Sequence, residues 1–514
     1  MSVLYHIQVD WDDDGDFDRP DETLDRDVIG AEWALGLDAP DDCLAAPSRA
    51  TITVRDPGGR YRPENIAGPL YGALVPRKKV VISSSASGVT RAHFTGWIET
   101  IAPGRDRTTA IACSGVEDLL HRAEVFLPPA TDCSADGLIA AVLEQVDHPP
   151  ALLGYWRLGL ARLGVDTRLP DLTTGADLEP GRTIFPYTGD SWAAGLNAWE
   201  VIRAAVEAER GLCFVSREGR LIFWNRHHLV GPVTPVLTLG RREAAFTSPV
   251  AGARMINRAE VTCHPREVGG SPETLWTLCA PLRLPPGEAR TIRARYADEV
   301  GAPLGALSLL APVAGTDYSA NDQRDGSGQD CTAAVTVAVE AGAGSARLTF
   351  YNSHPAAVYV LPGARLRGIA IRDRGRITAA AEDGASILRY GRRVRRLDLP
   401  LLGQPDAAAS LARHLVNEGS APRGLVATVT VHGETNAALL DAILGLTIGD
   451  AIRLADPGNG HDGLYHIVGE CHTLSGGGAH HAVTWTLRPV SPLVYWRLGM
   501  PGAGELGEAT RVIY

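Results

Sequence analysis

The sequence predicts a mainly β chain with an α+β insertion, and three observations lead there. Glycine and proline are abundant, 56 and 34 against 3 methionines, which favours many turns and short strands. Alternating apolar and polar residues recur along most of the length, as half-buried strands require. Helical spacing of apolar residues is clear in only three longer stretches. The 514 residues correspond to about three or four compact units. A hydrophobic fraction of 45% is that of a globular chain and excludes general disorder.

Residues 1–130 read as a first β unit. LYHIQV, RATITVRD and KKVVISSS alternate, and HFTGWIETIAPGRDRTTAIACSG reads as a hairpin ahead of the short helical VEDLLHR. Residues 131–235 read as the α+β insertion. SADGLIAAVLEQV has a Ser N-cap candidate. In DSWAAGLNAWEVIRAAVEAERG, Trp192, Leu196, Trp199 and Val206 fall near one helix face, with Gly211 as the expected terminator. LCFVSREGRLIFW follows as a hairpin. Residues 236–280 start a second β unit, and 281–375 alternate as an inserted β-sandwich with Gly-, Ser- and Asp-rich loops. Residues 376–490 complete the second unit around the helix PDAAASLARHLVNE, and 491–514 form a C-terminal docking segment.

Several functional classes are disfavoured. No apolar run approaches the ~20 residues that span a bilayer. The beginning MSVLYHIQVDWDDDGDF lacks a basic n-region and an apolar h-region, so signal-peptide-dependent export is not expected. A net charge of -11 argues against broad phosphate-backbone binding while leaving room for local basic patches, and no specific nucleic-acid partner is expected. GxSxG, HExxH, GxxxxGK[ST] and a strand-to-helix GxGxxG are all missing, so no catalytic residue is nominated and no enzyme is expected. The eight cysteines form no CxxC pair. Cys263-His264, Cys471-His472 and His480-His481 are adjacent pairs, which on a strand point to opposite faces and do not share one ion.

Three patterns remain. Asp10, Asp12, Asp14, Gly15, Asp16 and Asp18 match the first part of a calcium loop, with carboxylates at positions 1, 3, 5 and 9 and Gly at 6. Position 12 is Asp21 rather than the usual Glu, and Pro20 stands where a helix would continue. The loop reads either as a structural Ca2+ site or as an acidic turn whose side chains cap backbone N–H groups. No other cofactor is expected. The run ILRYGRRVRRLDL places Arg389, Arg392, Arg393, Arg395 and Arg396 along what reads as a strand; a subunit interface meeting a neighbour's acidic loop suits an acidic chain, ahead of a simply solvated face and, last, a nucleic-acid surface. Finally, Tyr155, Trp156 and Arg157 begin a Tyr-Trp-Arg-Leu-Gly element that returns at Tyr495, Trp496 and Arg497, as a repeated docking element would. With Trp97, these residues are the expected interface anchors, since Trp and Arg dominate buried contact positions.

Taken in order, VDWDDDGDF, RATITVRDPGGRYRPEN, FTGWIETI, AIACSGVEDLL, AWEVIRAAVEAERGLCFVSREGRLIFW, MINRAEVTCHP, LGLTIGDAIRL and GLYHIVGECHTLSGGGAHHAVTWTLRP resemble the tailed-bacteriophage tail proteins of the baseplate hub and minor tail (tail-tip) class. The segment 281–375 matches least. The resemblance implies two hub-type β-barrels with an inserted sandwich. It implies a structural virion protein at the tail tip, assembled in the host cytoplasm. It further implies a ring of identical chains, a trimer in preference to a hexamer, joining the tail tube or distal tail protein to tip, spike or fibre proteins. A distal tail ring protein is the near alternative, and a calcium-stabilised carbohydrate-binding or glycan-degrading β-sandwich protein the distant one.

Overall fold

A computed structural model describes residues 3–147, 176–192, 196–247, 249, 254–422 and 424–491. The protein is mainly β, and its frame is one twelve-stranded sheet. Six strands of the first barrel come first in that sheet: Leu4–Val9, Lys79–Ala86, Val89–Pro103, Thr108–Ser114, Arg49–Arg55 and Val28–Gly36, every neighbouring pair antiparallel. Alternation decides which face turns inward. Ala50, Ile52 and Val54 are buried while Arg49, Thr51 and Arg55 face solvent. Trp33, Ile52, Tyr61, Phe94 and Ile111 close that core, each large side chain stabilising it by roughly 1.5–3 kcal/mol.

The sheet then continues directly into the second barrel through His461–Ser475, His480–Pro489, Thr428–His432 and Ala244–Ala245. His461–Ser475 is 15 residues long, and this length lets it serve both barrels. One edge pairs with His480–Pro489. The other edge is divided: His461 to His466 pair with Ala451–Asp456, and Gly469 to Leu474 pair with Val28–Gly36. The change of partner needs glycine on both sides. Gly36 has φ +80°, and a Cβ on Gly469 would stand 2.2 Å from the Leu37 carbonyl oxygen.

The insertion packs Ala135–Asp147 against Ala198–Glu209 and the hairpin Leu212–Val215/Leu221–Trp224. Asn197 caps the second helix, its side-chain oxygen accepting from the Trp199 and Glu200 amides. At the C-terminus the left-handed residue is Arg210 (φ 59°) rather than Gly211. Gly211 is required for a different reason, because a Cβ there would meet the Trp224 carbonyl oxygen at 2.4 Å. Asn197→Ala is expected to lose about 1 kcal/mol, read as a lower urea midpoint at unchanged slope.

Arg258–Cys263, read above as a returning strand of the second barrel, pairs elsewhere. It lies between Ile377–Glu382 and Val394–Leu399 in a separate three-stranded sheet. Helix Pro405–Gly419 covers one face through Ala408, Leu411, Ala412 and Val416. The inserted sandwich hangs from this small unit. Its strands begin with Arg266–Val268 and Glu273–Thr277, which pair with Arg365–Asp373, so the insertion starts before residue 281. Its core is built on Tyr296, Leu348, Phe350 and Leu366. Among the described residues no helix is long and apolar enough to cross a membrane.

Candidate functional site

Polar chemistry gathers at the seam between the barrels and at the acidic loop after the first strand. At the seam, Trp33, buried in the first barrel's core, stacks on His472, ring centroids 4.9 Å apart and 9° from parallel. Strand alternation buries His481 and leaves its neighbour His480 exposed. His472 Nδ1 lies 2.9 Å from His481 Nε2, and His481 Nδ1 lies 2.7 Å from the Tyr5 hydroxyl. His93 completes the group, 2.7 Å from Ser84 Oγ. Burial pushes His93 down to about 2 and His481 to about 3, and it lowers His472 as well. The histidines are therefore neutral at physiological pH.

Beneath them, the turn of the insertion hairpin brings Arg217 against Glu470. The Arg217 Nε and Nη2 groups donate to the two carboxylate oxygens at 2.7 and 2.6 Å. Burial pushes the Glu470 carboxyl up, but the Arg217 charge and hydrogen bonds outweigh that and hold it below the usual carboxylate range. This pair fixes the insertion to the strand that both barrels share.

The acidic loop divides its aspartates between two groups. Asp14, Asp16 and Asp18 form an exposed trio, while Asp10 and Asp12 converge with Glu22. Glu22 stands one residue beyond position 12 of the calcium-loop template, which is why the template passed over it. Arg19 pairs with Asp12 and holds its carboxyl below the usual range. Lys78 pairs with Asp13.

The expected interface residues scatter. Trp97 is half-buried against the core of the insertion, a joint within the chain. The arginine run is not one strand: Arg389 lies on the short helix Gly384–Tyr390, Arg392 and Arg393 follow it, and only Val394–Leu399 is extended. The N-cap Asp383 starts that helix, and Gly391 at φ +76° ends it. Arg389, Arg392 and Arg393 face solvent beside Leu388, which is 90% exposed. Arg396 is engaged by Glu260 at 2.9 Å. Tyr155, Trp156, Arg157, Tyr495, Trp496 and Arg497 lie outside the described residues. All eight cysteines are free thiols.

No protein-family model and no curated protein sequence matches the chain. Its fold is similar to that of several solved structures. A tail protein from Neisseria meningitidis aligns at 8% identity and TM-score 0.44, over 95% of this chain and 97% of that one. A 43 kDa prophage tail protein from Shewanella oneidensis aligns at 11% identity and TM-score 0.45, over 95% and 98%. A prophage tail protein from Listeria monocytogenes aligns at 8% identity and TM-score 0.42, over 94% of each. Identities and TM-scores this low do not by themselves carry a function.

Proposed function

We propose that the chain is a non-catalytic structural subunit of a phage-type tail, acting at the tail tip as a hub or minor tail protein. In this reading copies of the chain close into a ring that joins the tail tube or distal tail protein above to tip, spike or fibre proteins below. The observation that carries it is the joining of two β units edge to edge in one sheet through one shared strand, His461–Ser475. Three such chains would present six barrels around an axis, matching a sixfold tube with a threefold subunit. The sequence resemblance set out above supports the same reading. The solvent-facing Leu388 and its arginines offer one contact surface of the kind that anchors interfaces.

Light scattering and negative-stain imaging of the full chain test this directly, with a closed ring of three copies as the expected result. A hexamer would favour the distal-ring alternative. A monomer that binds or cleaves glycans would replace the assembly reading altogether. Reversing charge at Arg392 and Arg393 to Glu is expected to weaken ring formation by at least about tenfold while the far-ultraviolet spectrum and melting profile stay unchanged.

A further inference from the structure

We propose that Asp10, Asp12 and Glu22 hold a hard divalent cation, calcium, at the root of the acidic loop. Carboxylate oxygens of the three residues lie within 4.8 Å of one another. Proximity of acidic groups is common on surfaces, but two of these are not on the surface: Asp10 is 3% exposed and Glu22 1%. Each spends one oxygen on a backbone amide. Asp10 Oδ2 accepts from Gly15 N at 3.0 Å, and Glu22 Oε2 accepts from Arg19 N at 2.9 Å. Those bonds set the orientation of both carboxylates and leave Asp10 Oδ1 and Glu22 Oε1 buried with no hydrogen-bond partner.

Two buried carboxylates within 4.8 Å of each other, each with one oxygen left unpartnered, are unfavourable twice over, through lost solvation and through mutual repulsion. The nearby cationic side chains do not reach Asp10 or Glu22: Arg19 pairs with Asp12 at the solvent side and Lys78 with Asp13. A cation between the two orphaned oxygens turns both penalties into attraction. Asp12 stands at the solvent side and supplies the third carboxylate and the route of exchange. An all-oxygen, anionic donor set selects a hard ion over zinc or copper. Donors drawn from the two ends of a turning loop suit calcium, which accepts irregular shells, better than magnesium, which demands a near-ideal octahedron. The exposed Asp14, Asp16 and Asp18 are not part of this site.

The ion would fasten a particular seam. The Val9 amide donates to the Glu22 carbonyl and the Leu24 amide to the Ile7 carbonyl, so residues 22–24 cover the free edge of the strand Leu4–Val9. Bound between Asp10 and Glu22, the cation ties the two ends of the loop and keeps that cover in place.

Trp11 makes the test direct. It is buried between two of the ligands, with its indole N–H donating to the Asp21 carbonyl at 3.1 Å, so it can sensitise bound terbium. The full chain is expected to give terbium emission on tryptophan excitation, displaced by calcium at lower concentration than by magnesium. Asp10→Asn and Glu22→Gln should each weaken calcium by at least about tenfold. The triple variant Asp14→Asn, Asp16→Asn, Asp18→Asn should bind as the parent does. Emission that calcium fails to displace, or loss of binding in the triple variant equal to that in Glu22→Gln, would overturn the site. Displacement by magnesium as readily as by calcium would overturn the choice of ion. Melting gives an independent readout with a crossing of signs. In EDTA the Asp10→Asn and Glu22→Gln chains should melt at or above the parent, because repulsion is relieved. In calcium the parent should melt above both. A parent indifferent to calcium would reject the proposal even where a variant folds poorly.

Discussion

Arg217→Ala is expected to cost about 3–5 kcal/mol, enough to separate the insertion from the barrels before the rest of the chain unfolds. The side chain makes four hydrogen bonds. Besides the two to Glu470, Nη1 donates to the Leu444 carbonyl at 2.9 Å and Nη2 to the Leu446 carbonyl at 2.7 Å. Truncation leaves the Glu470 carboxylate, 3% exposed, without a counter-charge and removes the donor from both carbonyls. Lysine will not rescue it, since a single ammonium cannot span the fork of acceptors that a guanidinium reaches. Replacing both partners together, Arg217→Met with Glu470→Leu, should lose less than Arg217→Ala alone, because no buried charge is stranded. Denaturant titrations of the four chains measure this. An Arg217→Ala chain within about 1 kcal/mol of the parent would mean that water reaches Glu470.

Acid should loosen the barrel seam between pH 6.5 and 5. His93 and His481 titrate near 6.5 when unfolded but only at about 2 and about 3 when folded. Within that interval the unfolded chain binds protons that the native chain refuses, so stability rises with pH and falls as pH is lowered. The stabilisation is fully present above pH 6.5. At pH 5 each of the two contributes a loss of about 2 kcal/mol, and His472, lowered by burial, acts in the same direction. Arg217 faces all three and opposes their protonation, while Glu470 favours it less strongly than burial disfavours it. Glu117 works oppositely: burial raises its carboxyl above the usual range, so it favours the native state as pH falls. Urea titrations at pH 7 and 5 should therefore show a net loss, and His481→Gln should flatten the slope. An unchanged midpoint across this range would count against a closed seam.

Much of the local structure was legible because alternation is a local signal. Arg49–Arg55 shows its buried and exposed faces in the sequence, and the same rule separates His480 from His481. Pairing was not legible to the same degree. Arg258–Cys263 announces itself as a strand, but nothing within it says that its neighbours are Ile377–Glu382 and Val394–Leu399. Arg217 sits in a Ser-Arg-Glu-Gly-Arg turn, where charge normally means solvent. It is buried only because the turn slides beneath a strand 253 residues away. Glu22 was missed for a smaller reason, since a loop without flanking helices need not keep the helix-bounded spacing. The arginine run misled because its Gly391 permits a φ of +76°, which ends a helix and turns the chain before the strand begins.

The strand that belongs to two barrels has a mechanical consequence. Barrels joined by a loop would stretch apart under load until the loop was taut. Here there is no slack to take up, since six register pairs from Ala31 with Leu474 to Gly36 with Gly469 join the halves edge to edge. Tension along the strand direction loads those pairs together in shear, whereas peeling would break them one at a time. A push arriving at one barrel therefore reaches the other as displacement of a single stiff body.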